Sequence, residues 1–136
     1  MIYGIGTDIV KVARMQQNLD KWGERFASRI LSPRELEEFR ASTRQAHFLS
    51  KRFAAKEACA KALGTGFRNG LSLPQISVRH TRYGQPVLEY TGTAFSLVQK
   101  NSINHSHLSI ADEDDYALAF VTLCTSATTI SVELSD

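Results

Sequence analysis

Gln45-Ala-His-Phe-Leu-Ser-Lys-Arg-Phe-Ala-Ala-Lys-Glu-Ala-Cys-Ala-Lys-Ala-Leu63, followed by Gly64-Thr65-Gly66, is the stretch on which the fold turns. Ala54, Ala55, Ala58 and Ala62 raise helix propensity and permit close packing. Leu49, Phe53 and Ala60 share one helical face, which Phe48, Cys59 and Leu63 widen. Gly64 stands where a left-handed residue ends a helix. The pattern predicts a helix over residues 45–63 with one apolar side.

Upstream, Ser32-Pro33-Arg34-Glu35 opens another helix that runs to about Ala41: Ser32 can cap it, Pro33 suits the first helical position, and Glu35 completes a capping box. Residues 12–29, broken near Asp20 to Gly23, read as one or two short helices. Residues 2–10 alternate loosely and read as a first strand ending near Asp8. Downstream, residues 76–80 and 86–90 read as strands joined by a turn at Tyr83-Gly84-Gln85, residues 92–100 as a helix on Ala94, Leu97 and Val98, and residues 107–111 and 116–125 as two strands around the acidic turn Asp112-Glu113-Asp114-Asp115. Helices come early and hairpin-like strands late. That order predicts an α+β fold, with the early helices packed on a mainly antiparallel sheet.

The 136 residues are 43% hydrophobic and 22% charged with three Pro, the composition of one folded domain, here residues 1–125. The Ser/Thr-rich residues 126–136 are a tail or an edge strand. No run of 18 apolar residues marks a membrane span, and Met1-Ile-Tyr-Gly lacks the basic start of a signal peptide. Cys59 and Cys124 make neither a metal spacing nor a disulfide framework, so a reduced, cytoplasmic protein is expected. The net charge of +2 divides unevenly: residues 1–70 carry +6 and residues 71–136 carry −4. A basic half fits an anionic partner, or three charged helices that happen to come first.

Asp8 follows Gly4-Ile-Gly-Thr at a strand-to-helix junction, where it is either a helix N-cap or a ligand. Glu57 and Lys61, four apart, share a helix face, a spacing that usually makes an exposed ion pair. Taken with Asp8, Glu57 offers a second carboxylate, and two such groups could hold Mg²⁺ with positions left for water and phosphate oxygens. Lys61 would then lie beside a phosphate and offset its charge. His47, His80, His105 and His107 have no helical zinc spacing, and no G-x-S-x-G accompanies Ser106-His107. Cys59 belongs to the apolar face rather than to a nucleophilic site.

Gly4-Ile-Gly-Thr-Asp-Ile-Val-Lys-Val-Ala-Arg14 and Arg52-Phe-Ala-Ala-Lys-Glu-Ala-Cys-Ala-Lys61, followed by Ala-Leu-Gly-Thr-Gly66, resemble the two signatures of 4′-phosphopantetheinyl transferases, in the right order and at the right separation. The short single-unit chain resembles the holo-acyl-carrier-protein synthase branch over about residues 1–124, through Gly84-Gln-Pro86 and residues 107–113. The resemblance implies the fold of that family and its reaction: the phosphopantetheine arm of Mg²⁺-bound coenzyme A passes to a serine of apo acyl carrier protein, adenosine 3′,5′-bisphosphate leaves, and the product serves fatty acid biosynthesis. It implies Asp8 and Glu57 as metal ligands and Lys61 beside the phosphates, with a carboxylate or a metal-held water as the base. Arg44, Arg52, Gly64 and Pro86 match positions that line coenzyme A. Arg14, Arg25, Phe26 and Arg29 match the region that docks the acidic carrier, Phe26 being otherwise a core residue. The family is a homotrimer with sites between subunits, so that Asp8 and the Glu57 helix could come from different chains.

Lys11 stands where the first signature is often acidic, and Ala111-Asp112 replaces a histidine motif found in some members. A reading from another class is a non-catalytic basic adaptor that binds an acidic protein. Nucleic acid is disfavoured by the lack of an aromatic-rich basic strand.

Overall fold

The computed structural model describes residues 1–126; the tail-or-edge-strand expectation for the remainder falls almost wholly outside them. The elements run β1 (Ile2–Lys11), α1 (Val12–Trp22), α2 (Glu24–Ser28), α3 (Pro33–Ala41), α4 (Gln45–Leu63), a 3₁₀ turn (Leu73–Gln75), β2 (Ile76–His80), β3 (Pro86–Tyr90), α5 (Gly92–Lys100), β4 (Ile103–Asp112) and β5 (Tyr116–Thr125). β1, β5 and β4 form an antiparallel sheet in that spatial order, and β2 and β3 form a separate antiparallel hairpin. The mixed helical and antiparallel architecture is the one expected.

Helix α4 ends as read, with Gly64 at φ 82° and its N–H donated to the carbonyls of Ala60 and Lys61. The helix does not have one apolar side, however. Leu49, Ala54, Ala55, Ala58, Cys59, Ala60, Ala62 and Leu63 are all buried, and so are Ser50, Arg52 and Lys56. A helix shielded nearly all round needs short side chains wherever a neighbour comes close, and the alanines supply them. α4 is the central element: the sheet covers one side of it, and α1, α3 and β2 pack on others.

The contact with β1 is the closest. A Cβ on Gly4 would lie 2.0 Å from the Ala62 carbonyl oxygen, and one on Gly6 would lie 1.9 Å from that of Ala58. Backbone therefore meets backbone along two turns of the helix, which only glycine allows. Side chains of a strand alternate between faces, so the inward glycines at 4 and 6 put Asp8 next on the face that meets α4. Asp8 is thus inside β1 and is no helix cap; α1 starts after Lys11, which makes no side-chain cap bond.

Ser32 and Glu35 form the capping box at the start of α3. Glu35 does more than cap. Its Oε1 accepts from Ser32 N at 2.9 Å and from Lys56 Nζ at 2.6 Å, and its Oε2 accepts from Val78 N at 2.9 Å and Arg52 Nη1 at 3.2 Å. One carboxylate thereby joins α3, α4 and β2.

Candidate active site

Gly4 lies over Ala62 and Gly6 over Ala58, so β1 and α4 run in opposite senses, and Asp8 comes level with the next turn of the helix. Glu57 and Lys61, each one residue before an alanine that meets a glycine, are brought alongside it. Asp8 and Glu57 line one cleft of about 440 Å³. A single chain therefore brings both carboxylates to the same cleft.

Lys61 does not make the local pair with Glu57 that its spacing suggests. Its Nζ donates to the Thr7 carbonyl at 2.9 Å and to Asp8 Oδ1 at 3.1 Å. The Asp8 side chain is 17% exposed and that of Lys61 55%. Partial burial, and then the negative charge of Asp8, push the Glu57 carboxyl above its ordinary value, while Lys61 opposes the shift. A Glu57 carboxyl made costlier to ionise by burial and by the neighbouring Asp8, with the Lys61 ammonium drawn onto Asp8, makes a site that attracts a cation. Among the described residues no third His, Cys, Asp or Glu joins them in a metal-binding group. The donor set fits a hard ion such as Mg²⁺, which keeps several positions for water and phosphate oxygen.

Arg14, Phe26 and Arg29 line the same cleft, together with Met15, Asn18 and Phe53. Arg25 lies just beyond, in an adjoining hollow formed with Asn18, Trp22, Phe26 and Arg29. All four residues expected to dock a partner are thus gathered at the mouth of the carboxylate site. Phe26 only packs against the edge of the core. Trp22 escaped the sequence reading although it is 52% exposed beside this basic cluster; the spacing Asn18, Trp22, Arg25, Arg29 across Gly23 was the available signal.

On the other side, Glu57 and Lys61 also line a cleft with Gly64, Thr65, Gly66 and Arg68, the loop that leaves α4. Glu57 therefore stands between two hollows, one basic and apolar, the other formed by a glycine loop. Pro86 lines a different cleft with Phe48, Lys51, His80 and Gly84, and the structure does not bring it to Asp8 within one chain. Arg44 is exposed at the start of α4, its Nη2 2.9 Å from His47 Nε2. Arg52 lines that cleft with Pro86; it is 5% exposed, and its Nη1 is engaged with Glu35, Glu38 and the Val78 carbonyl, so it also ties the cleft wall to the interior. Cys59 is fully buried, and burial pushes its thiol up to about 12, which removes it as a nucleophile.

Residues 4–121 match the sequence pattern of the 4′-phosphopantetheinyl transferase superfamily. The chain belongs to that superfamily. Among curated relatives, a holo-[acyl-carrier-protein] synthase of Nitrosococcus oceani is 57% identical over 123 residues, covering 90% of this chain and 80% of that one. Among solved structures, the holo-[acyl-carrier-protein] synthase of Neisseria meningitidis superposes with a TM-score of 0.87 at 44% identity, covering 92% of this chain and all of the other. The synthase of Bacillus anthracis, solved in complex with CoA (3′,5′-ADP), gives a TM-score of 0.77 at 36% identity, over 93% of this chain and 99% of that one. Superfamily membership and these superpositions establish the fold as that of a phosphopantetheinyl transferase. The Asp8 and Glu57 segments both fall inside the matched region.

Proposed function

We propose that the chain is a holo-[acyl-carrier-protein] synthase, transferring 4′-phosphopantetheine from coenzyme A to a serine of apo acyl carrier protein with release of adenosine 3′,5′-bisphosphate. The observation that carries this reading is the position of Glu57. It lies beside Asp8, between a cleft edged by Arg14, Phe26 and Arg29 and the Gly64 loop cleft. A two-substrate transfer needs such a junction, with a carrier approaching from one side and a cofactor held on the other. The adaptor reading does not require paired carboxylates and is not favoured.

Asp8 and Glu57 would hold Mg²⁺, which when bound draws negative charge from the diphosphate of coenzyme A. The chain's own residues supply the positioning. Lys61 is exposed enough to meet a phosphate from its place beside Thr7 and Asp8. Gly64 and Gly66 keep the loop after α4 low and, with Lys61 and Arg68, present an anion-binding rim. The arginines of α1 and α2 steer and orient an acidic carrier so that its serine enters beside Glu57. Arg44, Arg52 and Pro86 remain proposed cofactor contacts, and the separate position of the cleft that Arg52 and Pro86 line fits a site completed by a neighbouring subunit.

A homotrimer is supported by the outer face of the sheet. Ile5 is 59% exposed, Ile9 63%, Leu118 42% and Phe120 46%, and the strand register places them side by side. An apolar patch of this kind on a small protein is ordinarily covered by a partner. Residues 1–125 act as the single transferase domain, supporting fatty acid biosynthesis in the cytoplasm.

Intact mass spectrometry of apo acyl carrier protein tests the function. After incubation with the protein, coenzyme A and Mg²⁺, the carrier should gain the mass of one phosphopantetheine; with chelator, or with Asp8→Ala, it should not. An unchanged carrier under the complete conditions would refute the transferase, and unimpaired carrier binding with no transfer would favour the adaptor.

A further inference from the structure

Without a metal, the Asp8 carboxylate already has a cation. Lys61 Nζ lies 3.1 Å from Asp8 Oδ1 and 2.9 Å from the Thr7 carbonyl, so its ammonium is held by two oxygen atoms of β1. The lysine reaches them across the β1–α4 contact, from the last turn of α4. Its side chain is half exposed, and the Gly64–Gly66 loop that it also lines follows directly in the chain. An exposed ion pair of this kind is weak and its long side chain is free to move. A divalent ion bound through Asp8 has stronger claims on the same oxygen.

Resting on the metal site proposed above, we propose that Lys61 is the stand-in cation of Asp8, displaced when the divalent ion binds and thereby released toward the cofactor's diphosphate. Lys61 is then a positioning residue that couples two binding events. In the metal-free protein it competes with the ion for Asp8. Once the ion is in place, the freed ammonium favours an anion in the Gly64 loop cleft. Coenzyme A and metal should therefore each strengthen the binding of the other, as linkage requires, and part of that coupling should pass through Lys61. Transfer chemistry need not be invoked to see this.

The test uses Mn²⁺ alone as the metal probe, with free Mn²⁺ read by electron paramagnetic resonance in 0.15 M salt, where charges more than about 8 Å apart are largely screened. Lys61→Met should bind Mn²⁺ about two- to fivefold more tightly than the unmodified protein, the range expected for removing an exposed competing pair. Lys11→Met, which removes a β1 lysine that makes no bond to Asp8, should change the affinity by less than half as much. The strengthening of Mn²⁺ binding by coenzyme A should shrink by at least about threefold in Lys61→Met, the scale of the lost Lys61 contact.

Unchanged or weaker Mn²⁺ binding by Lys61→Met overturns the displacement, and so does an equal shift from Lys11→Met. The failure of the metal site itself looks different: Asp8→Asn and Glu57→Gln would then bind Mn²⁺ as well as the unmodified protein, and both proposals would fall together. Lys61 lies at the surface, so circular dichroism of Lys61→Met should match that of the parent.

Discussion

Lys56 Nζ lies 2.6 Å from Glu35 Oε1, and neither side chain reaches solvent. Lys56 immediately precedes Glu57, so the ion pair fixes the rotation of α4 that aims Glu57 into its cleft. Removing the carboxylate leaves Ser32 N and Val78 N without the acceptor they use and takes from the buried Lys56 ammonium its carboxylate partner, the Leu73 carbonyl remaining, while Arg52 keeps Glu38 and the Val78 carbonyl. Glu35→Ala should cost about 3–5 kcal/mol of stability. Lys56→Met should cost less, because Glu35 keeps Arg52, Ser32 N and Val78 N. Urea unfolding at pH 7 ranks the two, and the opposite order would contradict this account of the network.

The same carboxylate sets an acid limit. Burial alone would push Glu35 up, but the Lys56 ammonium, its hydrogen bond and the backbone donors outweigh it and hold the group below its ordinary 4.5. A depressed carboxylate contributes its stability above the unfolded value and loses it as pH falls through the folded one. Unfolding free energy should therefore drop below about pH 4.5, and Glu35→Gln should flatten that slope while lowering stability at neutral pH. Parallel acid titrations of parent and variant would expose an error.

Glu57 behaves in the opposite sense. Its carboxyl is pushed up, by burial and then by Asp8, so ionised Glu57 burdens the fold at neutral pH. Glu57→Gln should stabilise the protein at pH 7 by less than about 1 kcal/mol, solvent screening being appreciable at this partly exposed position. The gain should vanish below the ordinary 4.5, where the parent side chain is itself protonated. Transfer should fall about 100- to 1,000-fold, the scale for losing one electrostatic group aimed at a reacting centre. Thermal melts at two pH values and a turnover assay check both halves.

Arg14→Glu or Arg25→Glu should weaken carrier binding about tenfold and make the remainder less sensitive to salt, with coenzyme A affinity little changed. Arg14 lines the carboxylate cleft and Arg25 the hollow beside it, away from the Gly64 loop. Titrating each substrate separately decides the matter; equal losses for both would contradict the docking role.

Gly6→Ala should cost at least about 2 kcal/mol, the middle of the range for forcing one methyl into a packed interior. The added atom would meet a carbonyl 1.9 Å away, and that carbonyl belongs to a helix backbone that cannot step aside. Chemical denaturation measures the loss, and a neutral result would mean that β1 and α4 can separate freely.

What could be read in the sequence was what neighbouring residues decide among themselves. The Ser32–Glu35 cap, Pro33 and the Gly64 stop marked helix ends, and the β2–β3 hairpin lay on either side of its Gly84 turn. Asp8 was harder to place because β1 is inverted: its inward positions hold Gly4 and Gly6, while Tyr3, Ile5 and Ile9 face outward. Apolar alternation there points away from the core. Nothing local marks Lys56 as buried, since its partner is 21 residues away. Arg52 matched a family position that lines the cofactor, yet its bonds to Glu35 and Glu38 could be seen only once α3 and α4 were packed together.

The glycine seam between β1 and α4 has one more implication. Where two main chains touch, the distance between the acids they carry is set by covalent geometry and by the absence of side chains, not by any particular hydrophobic residue. Repacking the interior elsewhere, at Leu49 or Val121 for example, can thus alter how firmly the protein holds together while leaving the span from Asp8 to Glu57 as it was. The seam acts as a fixed gauge, and the rest of the scaffold is free to diversify around it.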